Sequence, residues 1–210
     1  MKLYYFPLSP YSQKVRIALA EKGAKYDAHV VNLGDAGARA EYEKVNPFGK
    51  VPFLRDEAKD WNVGESSIII EYIDRHVAGG TQLIPSDPDL ARQARFHDRI
   101  FDLYITEQLL KIFFDGQRPA DKRDPMGVES AQKRVDKTYA MLDGYLGSKK
   151  WALGDTFSMA DISGAAALAT GKAFRPFDAH KNLVAYFGRL TERPSVQAVL
   201  KEAQEAMAKR

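Results

Sequence analysis

The stretch from Asn46 to Asp74, NPFGKVPFLRDEAKDWNVGESSIIIEYID, restricts the possible folds more than any other part of this chain. Val51-Pro52 opens the apolar run VPFL, and proline lacks the N–H that a fully paired central position requires. The polar residues DEAKD then form a turn, and Trp61, Asn62 and Val63 supply a second short strand, which makes a hairpin. Gly64-Glu65-Ser66-Ser67 breaks that strand and sets hydroxyls ahead of Ile68, Ile69, Ile70, Tyr72 and Ile73. Hydroxyls suit a helix start, where backbone N–H groups are unpaired and the helix dipole is positive.

Such a stretch can hold a short anionic peptide. An extended ligand can pair with the free backbone of Val51 as a strand added to an exposed edge. Its carboxylate can rest on the N–H groups and hydroxyl at Ser66, and Lys50 can take a second carboxylate as a point charge. The same features also describe a hairpin and a capped helix with no ligand.

Upstream, Lys2 to Phe6 reads as a short buried strand ended by Pro7-Leu8-Ser9-Pro10. Ser9-Pro10 has the form of an N-cap followed by proline at the first helical position. The helix it opens runs to about Gly23 with Val15, Ala18 and Leu19 at helical spacing. Ala28 to Asn32 is a second strand, and Gly34 to Lys44 is one irregular helix. The order is strand, helix, strand, helix, strand, strand, helix, ending near Val77. A parallel pair with a crossover helix, followed by a hairpin, is one way to build a four-stranded mixed sheet with helices on both faces, as in a thioredoxin-like domain.

Ala78 to Pro88, AGGTQLIPSDP, is the expected linker, which divides the chain into 1–77, 78–88 and 89–210. Beyond it the pattern is helical, giving an α/β domain followed by an all-α domain. Leu90 to about Asp115 carries Phe96, Ile100, Leu103, Ile105, Leu109 and Phe113. Met126 to Leu146 carries Val128, Ala131, Val135, Tyr139, Leu142 and Tyr145. Ser158-Met159-Ala160-Asp161 is a capping box with Asp as the acid, flanked by Phe157 and Ile162 as a hydrophobic staple. It opens a helix of alanine and aliphatic residues that should be central to the second domain, and no chemistry is assigned to it.

Composition closes several other routes. A net charge of +3 spread along the chain gives no footprint for nucleic acid or an anionic membrane. With no cysteine there is no disulfide, thiolate metal site or protein-borne redox dithiol, which fits a reducing, cytoplasmic setting. His29, His76, His97 and His180 lack metal-ligand spacing, so no metal is expected. The N-terminus lacks the apolar run of a signal peptide, and nothing approaches a membrane span.

Four segments in order and in register, SPYSQKVRIAL, NPFGKVPFL, GESSIIIEYI and LGDTFSMADI, give the chain a resemblance to the cytosolic glutathione S-transferases. The likeness covers nearly the whole chain and is nearest the serine-type theta-, phi- and zeta-like classes and their bacterial relatives. Leu8-Ser9-Pro10-Tyr11 departs from the Ser-Ser-Cys run of the zeta signature, which argues against maleylacetoacetate isomerase activity. The resemblance implies a cis Val51–Pro52 peptide, with the valine backbone pairing the cysteinyl part of glutathione. It implies Glu65 and Ser66 at the γ-glutamyl end and Lys50 near the glycyl carboxylate.

SPYS stands where glutaredoxin-like proteins carry Cys-Pro-Tyr-Cys, so thiol transfer through this site is not expected. A hydroxyl can instead donate to the thiolate of bound glutathione. The resemblance implies Ser9 for that role, with Ser12 and Tyr5 as rivals. A small hydrophobic electrophile is expected between the domains against Leu8, Tyr11, Tyr104, Phe113, Phe114, Phe174 and Arg175, with Arg118 and Arg175 hinting at an anion. The resemblance further implies a detoxifying transferase that is a cytoplasmic homodimer, with the Leu90–Asp115 helix in its interface. Asp98 or Asp102 would then reach the partner's γ-glutamyl ammonium. Glutathione-dependent isomerase, dehalogenase or peroxidase chemistry and non-catalytic ligand binding are the alternatives.

Overall fold

The computed structural model of the chain describes residues 1–209. These residues divide into two compact units, Met1–Leu83 with the segment from Pro194 onward, and Ile84–Arg193.

In the first unit β1 (Lys2–Tyr5), β2 (Asp27–Val30), β3 (Phe53–Asp56) and β4 (Trp61–Val63) form a mixed sheet in the order β2-β1-β3-β4. β1 and β2 are parallel and are joined by the crossover helix α1 (Pro10–Glu21), while β1–β3 and β3–β4 are antiparallel. This is the mixed sheet expected from the strand and helix order. The strand run VPFL is shortened, because β3 begins at Phe53 and leaves Val51-Pro52 ahead of the ladder. Helix α2 (Ala36–Glu43) precedes β3, and α3 (Ser66–His76) follows β4. Leu3, Val15, Ile17, Leu19, Leu54, Ile69, Ile70 and Ile73 form the buried interior of this unit.

The division into 1–77, 78–88 and 89–210 meets two departures. The first part of the linker is pinned rather than loose. The Thr81 N–H donates to the Glu21 carbonyl at 3.0 Å, the Leu83 N–H donates to Asp74 Oδ1 at 3.0 Å, and the Leu83 side chain is buried. Gly80, at φ +67°, passes the Glu21–Lys22 backbone so closely that a Cβ would lie 2.4 Å from the Glu21 carbonyl oxygen. The second departure is the C-terminal helix α9 (Pro194–Ala208), which packs on α1 and so belongs with the sheet. Glu202 of α9 takes a 2.7 Å ion pair from Arg16, and Ser195 donates to Glu21.

The second unit is built from α4 (Pro88–Arg99), α5 (Glu107–Gly116), α6 (Pro125–Leu146), α7 (Met159–Phe174) and α8 (Lys181–Thr191). Between α4 and α5 the chain passes through a π-helical segment, Ile100–Thr106, rather than one uniform helix. Wider turns shift the phase, so Phe101 is buried while Leu103 is partly exposed. Helix α7 is central to this unit, and its small residues permit close approach. A Cβ at Gly164 would lie 2.9 Å from the Tyr186 hydroxyl and 3.1 Å from the Phe101 ring.

The capping box is present. The Ser158 N–H donates to Asp161 Oδ2 at 2.9 Å, and Ser158 Oγ accepts from the Ala160 N–H at 3.3 Å. Asp161 Oδ1 also accepts from the Ala152 N–H and the Tyr186 hydroxyl, both at 2.8 Å. Among the described residues no helix is long and apolar enough to cross a membrane.

Candidate functional site

The strand registers gather three loops at one end of the sheet. β1 is antiparallel to β3 with Tyr4 opposite Phe53, and β3 is antiparallel to β4 with Leu54 opposite Val63. The exit of β1, the entry of β3 and the exit of β4 therefore share an end. Those three places carry Ser9, Lys50-Val51-Pro52 and Glu65-Ser66.

Ser9 is the N-cap of α1, half-buried, with its Oγ accepting from the Ser12 N–H at 3.3 Å. The loop before it is tied down, because the Ser9 N–H donates to the Phe6 carbonyl at 3.0 Å and Gln13 Nε2 donates to the Pro7 carbonyl at 3.0 Å. Capping uses the hydroxyl oxygen as acceptor and leaves its hydrogen to donate elsewhere.

Both rival hydroxyls sit in other surroundings. Ser12 is buried and its Oγ accepts from the Phe6 N–H at 3.2 Å. Tyr5 is buried and donates to Glu202 Oε1 at 2.7 Å, beneath the Arg16 guanidinium at 4.4 Å from its ring centroid. Burial first, and the Glu202 hydrogen bond second, push the Tyr5 hydroxyl up to about 12.

The Val51–Pro52 peptide is cis, as the resemblance implies. The last ladder pair of β1 and β3 is Tyr4–Phe53, so the Val51 backbone lies beyond the ladder. The Val51 side chain packs on the cluster of Tyr4, Val31, Tyr42 and Phe53. Two residues that the sequence reading assigned no role act on this loop. The Tyr42 hydroxyl donates to the Lys50 carbonyl at 2.6 Å, and Asn46 Nδ2 donates to the same oxygen at 2.8 Å. The only sequence signal for Asn46 was its place at the head of NPFGKVP.

Helix α3 begins at Ser66, so Ser66 is its first residue and not its cap. The N-cap is Glu65, whose side chain makes no capping hydrogen bond and whose φ is +61°. A non-glycine residue there costs roughly 1–3 kcal/mol, and such strain gathers at ligand clamps. The first turn of α3 thus keeps its positive end without a capping side chain. Lys14, 1% exposed, donates to Ser67 Oγ at 3.2 Å and sets a buried ammonium at the same helix start. Lys50 and Glu65 are exposed, and Ser66 is buried.

Among the expected pocket residues, Leu8 and Tyr11 flank Ser9-Pro10 in the first unit and are half-buried. In the second unit Phe113 packs on Phe114 and Phe174, with centroids 5.2 and 5.4 Å away. Tyr104, Phe114 and Phe174 are exposed. Arg175 does not offer a free cation. Its Nε and Nη2 grip Asp136 at 2.8 and 2.6 Å, and that hydrogen-bonded pairing holds the Asp136 carboxyl below its ordinary range. Arg118 is likewise paired, with Asp115 at 3.3 Å. Among the described residues no group of three or more His, Asp or Glu is placed to hold a metal ion.

Comparison with known proteins finds relatives for both units of the chain. Residues 3–81 match the family model of the glutathione S-transferase N-terminal domain, and residues 105–194 match that of the glutathione S-transferase C-terminal domain. A probable glutathione S-transferase, MSR-1 of Nicotiana plumbaginifolia, is 33% identical over 75% of this chain and 67% of its own. A stringent starvation protein A homolog of Coxiella burnetii is 29% identical over 99% of this chain and 94% of its own. A crystal structure of a glutathione S-transferase from Methylobacillus flagellatus KT, with GSH bound, superposes with a TM-score of 0.86. It is 28% identical and covers 94% of this chain and 98% of that one.

Proposed function

We propose, from the premise that this chain belongs to the glutathione S-transferase family, that it joins the sulfur of glutathione to small hydrophobic electrophiles. One observation carries the reading. A hydroxyl with a hydrogen to give, a strand entry outside its ladder and an uncapped helix start lie at one end of the sheet. Glutathione has a group for each. Its cysteinyl backbone pairs with Val51 ahead of the cis-Pro52. Its γ-glutamyl carboxylate rests on the Ser66 N–H and hydroxyl, and its ammonium meets Glu65. Lys50 takes the glycyl carboxylate, and the Ser9 O–H donates to the sulfur.

The energetics are within reach of these groups. A free thiol has a pKa of about 8.5, so ionising it roughly two units lower takes about 2.7 kcal/mol. A hydrogen bond to a charged acceptor contributes roughly 1.5–3 kcal/mol, and a helix start adds about 0.3–1. The thiol proton leaves to water, the thiolate forms the new C–S bond, and a displaced leaving group departs with its electron pair. Ser9 is thereby the serine-type donor, since the Tyr5 proton is directed to Glu202. Leu8 and Tyr11, which flank Ser9-Pro10 in the first unit, supply apolar surface for the electrophile beside the sulfur. Arg175 is assigned no part, because Asp136 already fills its fork.

The retention of Ser9, Lys50, Val51-Pro52 and Glu65-Ser66 counts against a purely structural or carrier role. We further propose that the enzyme works in the cytoplasm as a homodimer, which light scattering would read as twice the 23.5 kDa chain. The decisive experiment is a calorimetric titration with glutathione, followed on the same sample by a panel of electrophiles. Binding together with turnover of halogenated aromatics or activated alkenes is the expected result. No heat at millimolar glutathione would overturn the proposal, and turnover confined to isomerisable, dehalogenation or peroxide substrates would reassign the chemistry.

A further inference from the structure

We propose that Asn46 and Tyr42 are positioning residues for the glutathione backbone, acting through the carbonyl of Lys50. This rests on the glutathione reading above and says what makes Val51 a ready partner.

The argument begins with the peptide unit between Lys50 and Val51. Its carbonyl and its N–H lie in one plane and point in opposite directions across a trans bond. Holding the Lys50 oxygen therefore aims the Val51 N–H. That oxygen takes two donors at once, the Tyr42 hydroxyl at 2.6 Å and Asn46 Nδ2 at 2.8 Å. Both of its lone pairs are then used, so an incoming peptide finds Val51 available and the Lys50 carbonyl occupied.

The donors are themselves fixed. Tyr42 and Asn46 are each 4% exposed, and Tyr42 sits in the same apolar cluster that Val51 packs against. Asn46 is a hub of the loop. Its N–H donates to the Tyr42 carbonyl and its carbonyl accepts from the Gly49 N–H, both at 2.9 Å, while Oδ1 accepts from the Phe48 N–H at 3.3 Å. The turn at Gly49, with φ +58°, brings Lys50 back over Asn46. The side chain of Val51 is thus held by packing and its peptide by hydrogen bonds, and neither depends on solvent. A tripeptide that pairs with Val51 meets an edge already aimed at it, which reduces the ordering cost of binding.

The test uses Asn46→Asp, which keeps the shape and the Oδ1 acceptor but sets an oxygen against the Lys50 carbonyl, and Tyr42→Phe, which keeps the ring. Each is titrated calorimetrically with glutathione and with γ-glutamylcysteine. Expected is a loss of affinity of about tenfold for Asn46→Asp and about three- to tenfold for Tyr42→Phe, equal for the two ligands. The pH profile of the bound thiol and the KM for the electrophile should stay as in the parent, because neither variant touches Ser9. The Val51 amide resonance, measured without ligand, should shift and broaden in both variants as the peptide plane loses its fixed orientation.

Unchanged glutathione affinity with a lowered melting temperature would reduce the pair to a purely structural role and overturn the proposal. A loss seen with glutathione but not with γ-glutamylcysteine would also overturn it, since the effect would then run through the Lys50 side chain. Failure of the parent protein to bind glutathione would defeat the functional reading instead, leaving the Val51 amide resonance to judge the clamp alone.

Discussion

Ser9→Ala separates the two tasks assigned to one hydroxyl, and the structure sets the size of each. As a cap, Ser9 Oγ accepts from the Ser12 N–H at 3.3 Å, a long bond. Losing a cap of this kind costs typically ~1 kcal/mol, which in a chain of this size lowers the melting temperature by roughly 2–4 °C. As a donor to the thiolate, the hydroxyl contributes about 1.5–3 kcal/mol, so its loss raises the pKa of the bound thiol by roughly one to two units. If the parent thiol ionises near 6.5, about half is thiolate at that pH, against only a few per cent in the variant.

The assay is kcat/KM against pH, with glutathione binding followed separately. Near pH 6.5 the lost thiolate alone should cut turnover roughly five- to fiftyfold. Near pH 9 the gap should narrow, because the thiol then ionises without help and a less acidic thiolate is intrinsically the better nucleophile. Ser9→Thr, which keeps a hydroxyl, should recover most of the low-pH rate. A Ser9→Ala profile that superposes on the parent, with glutathione still bound, would refute the reasoning.

Other substitutions test neighbouring parts of the argument. Tyr5→Phe removes the donor to Glu202 and should lower stability by about 1–2 kcal/mol in thermal melts while conjugation stays unchanged; a tenfold loss of turnover would return the thiolate to Tyr5. Tyr139→Phe should be neutral or stabilising by up to about 1 kcal/mol, because the Tyr139 hydroxyl is buried with no hydrogen-bond partner among the described residues. Asp161→Asn should destabilise in a pH-dependent way, since burial outweighs the hydrogen bonds it accepts and pushes the Asp161 carboxyl up to about 6. The folded state then binds that proton more tightly than the unfolded chain, so the contribution is complete below the unfolded value near 4 and is lost as pH rises through about 6. Chemical denaturation at pH 4.5 and pH 7 should therefore give the larger parent-minus-variant difference at the lower pH, by a margin on the order of 3 kcal/mol at most. A difference that does not vary with pH would show that the hydrogen bonds cancel the effect of burial on this group.

What was legible in the sequence was what is decided within a few residues. Ser158 and Asp161 form a capping box because both partners sit in one helical turn. The sheet order follows from a crossover helix and a hairpin, each closed by short connections. Boundaries moved where a local rule met a tertiary one. The hydroxyls of Ser66 and Ser67 read as a helix start, yet the N-cap place falls to Glu65, at φ +61° and with no capping bond from its side chain. The helix from Leu90 slipped phase because Ile100–Thr106 winds as a π segment, which periodicity at 3.6 residues cannot register.

The features read last were those joined across long separations. Helix α9 has the amphipathic face of any bundle helix, with Val196, Val199 and Ala203 buried, and the contacts of Glu202 with Arg16 and Tyr5 and of Ser195 with Glu21 tie it to the sheet unit. Asn46 shows the opposite limit. All its partners lie within four residues, but its role depends on the chain doubling back through Gly49 so that one carbonyl receives both its amide and the hydroxyl of Tyr42. A turn signal at NPFG announces a bend without saying which oxygen the bend presents. That choice sets the direction of the Val51 N–H, and so a residue that touches no ligand sets how readily the strand entry receives one.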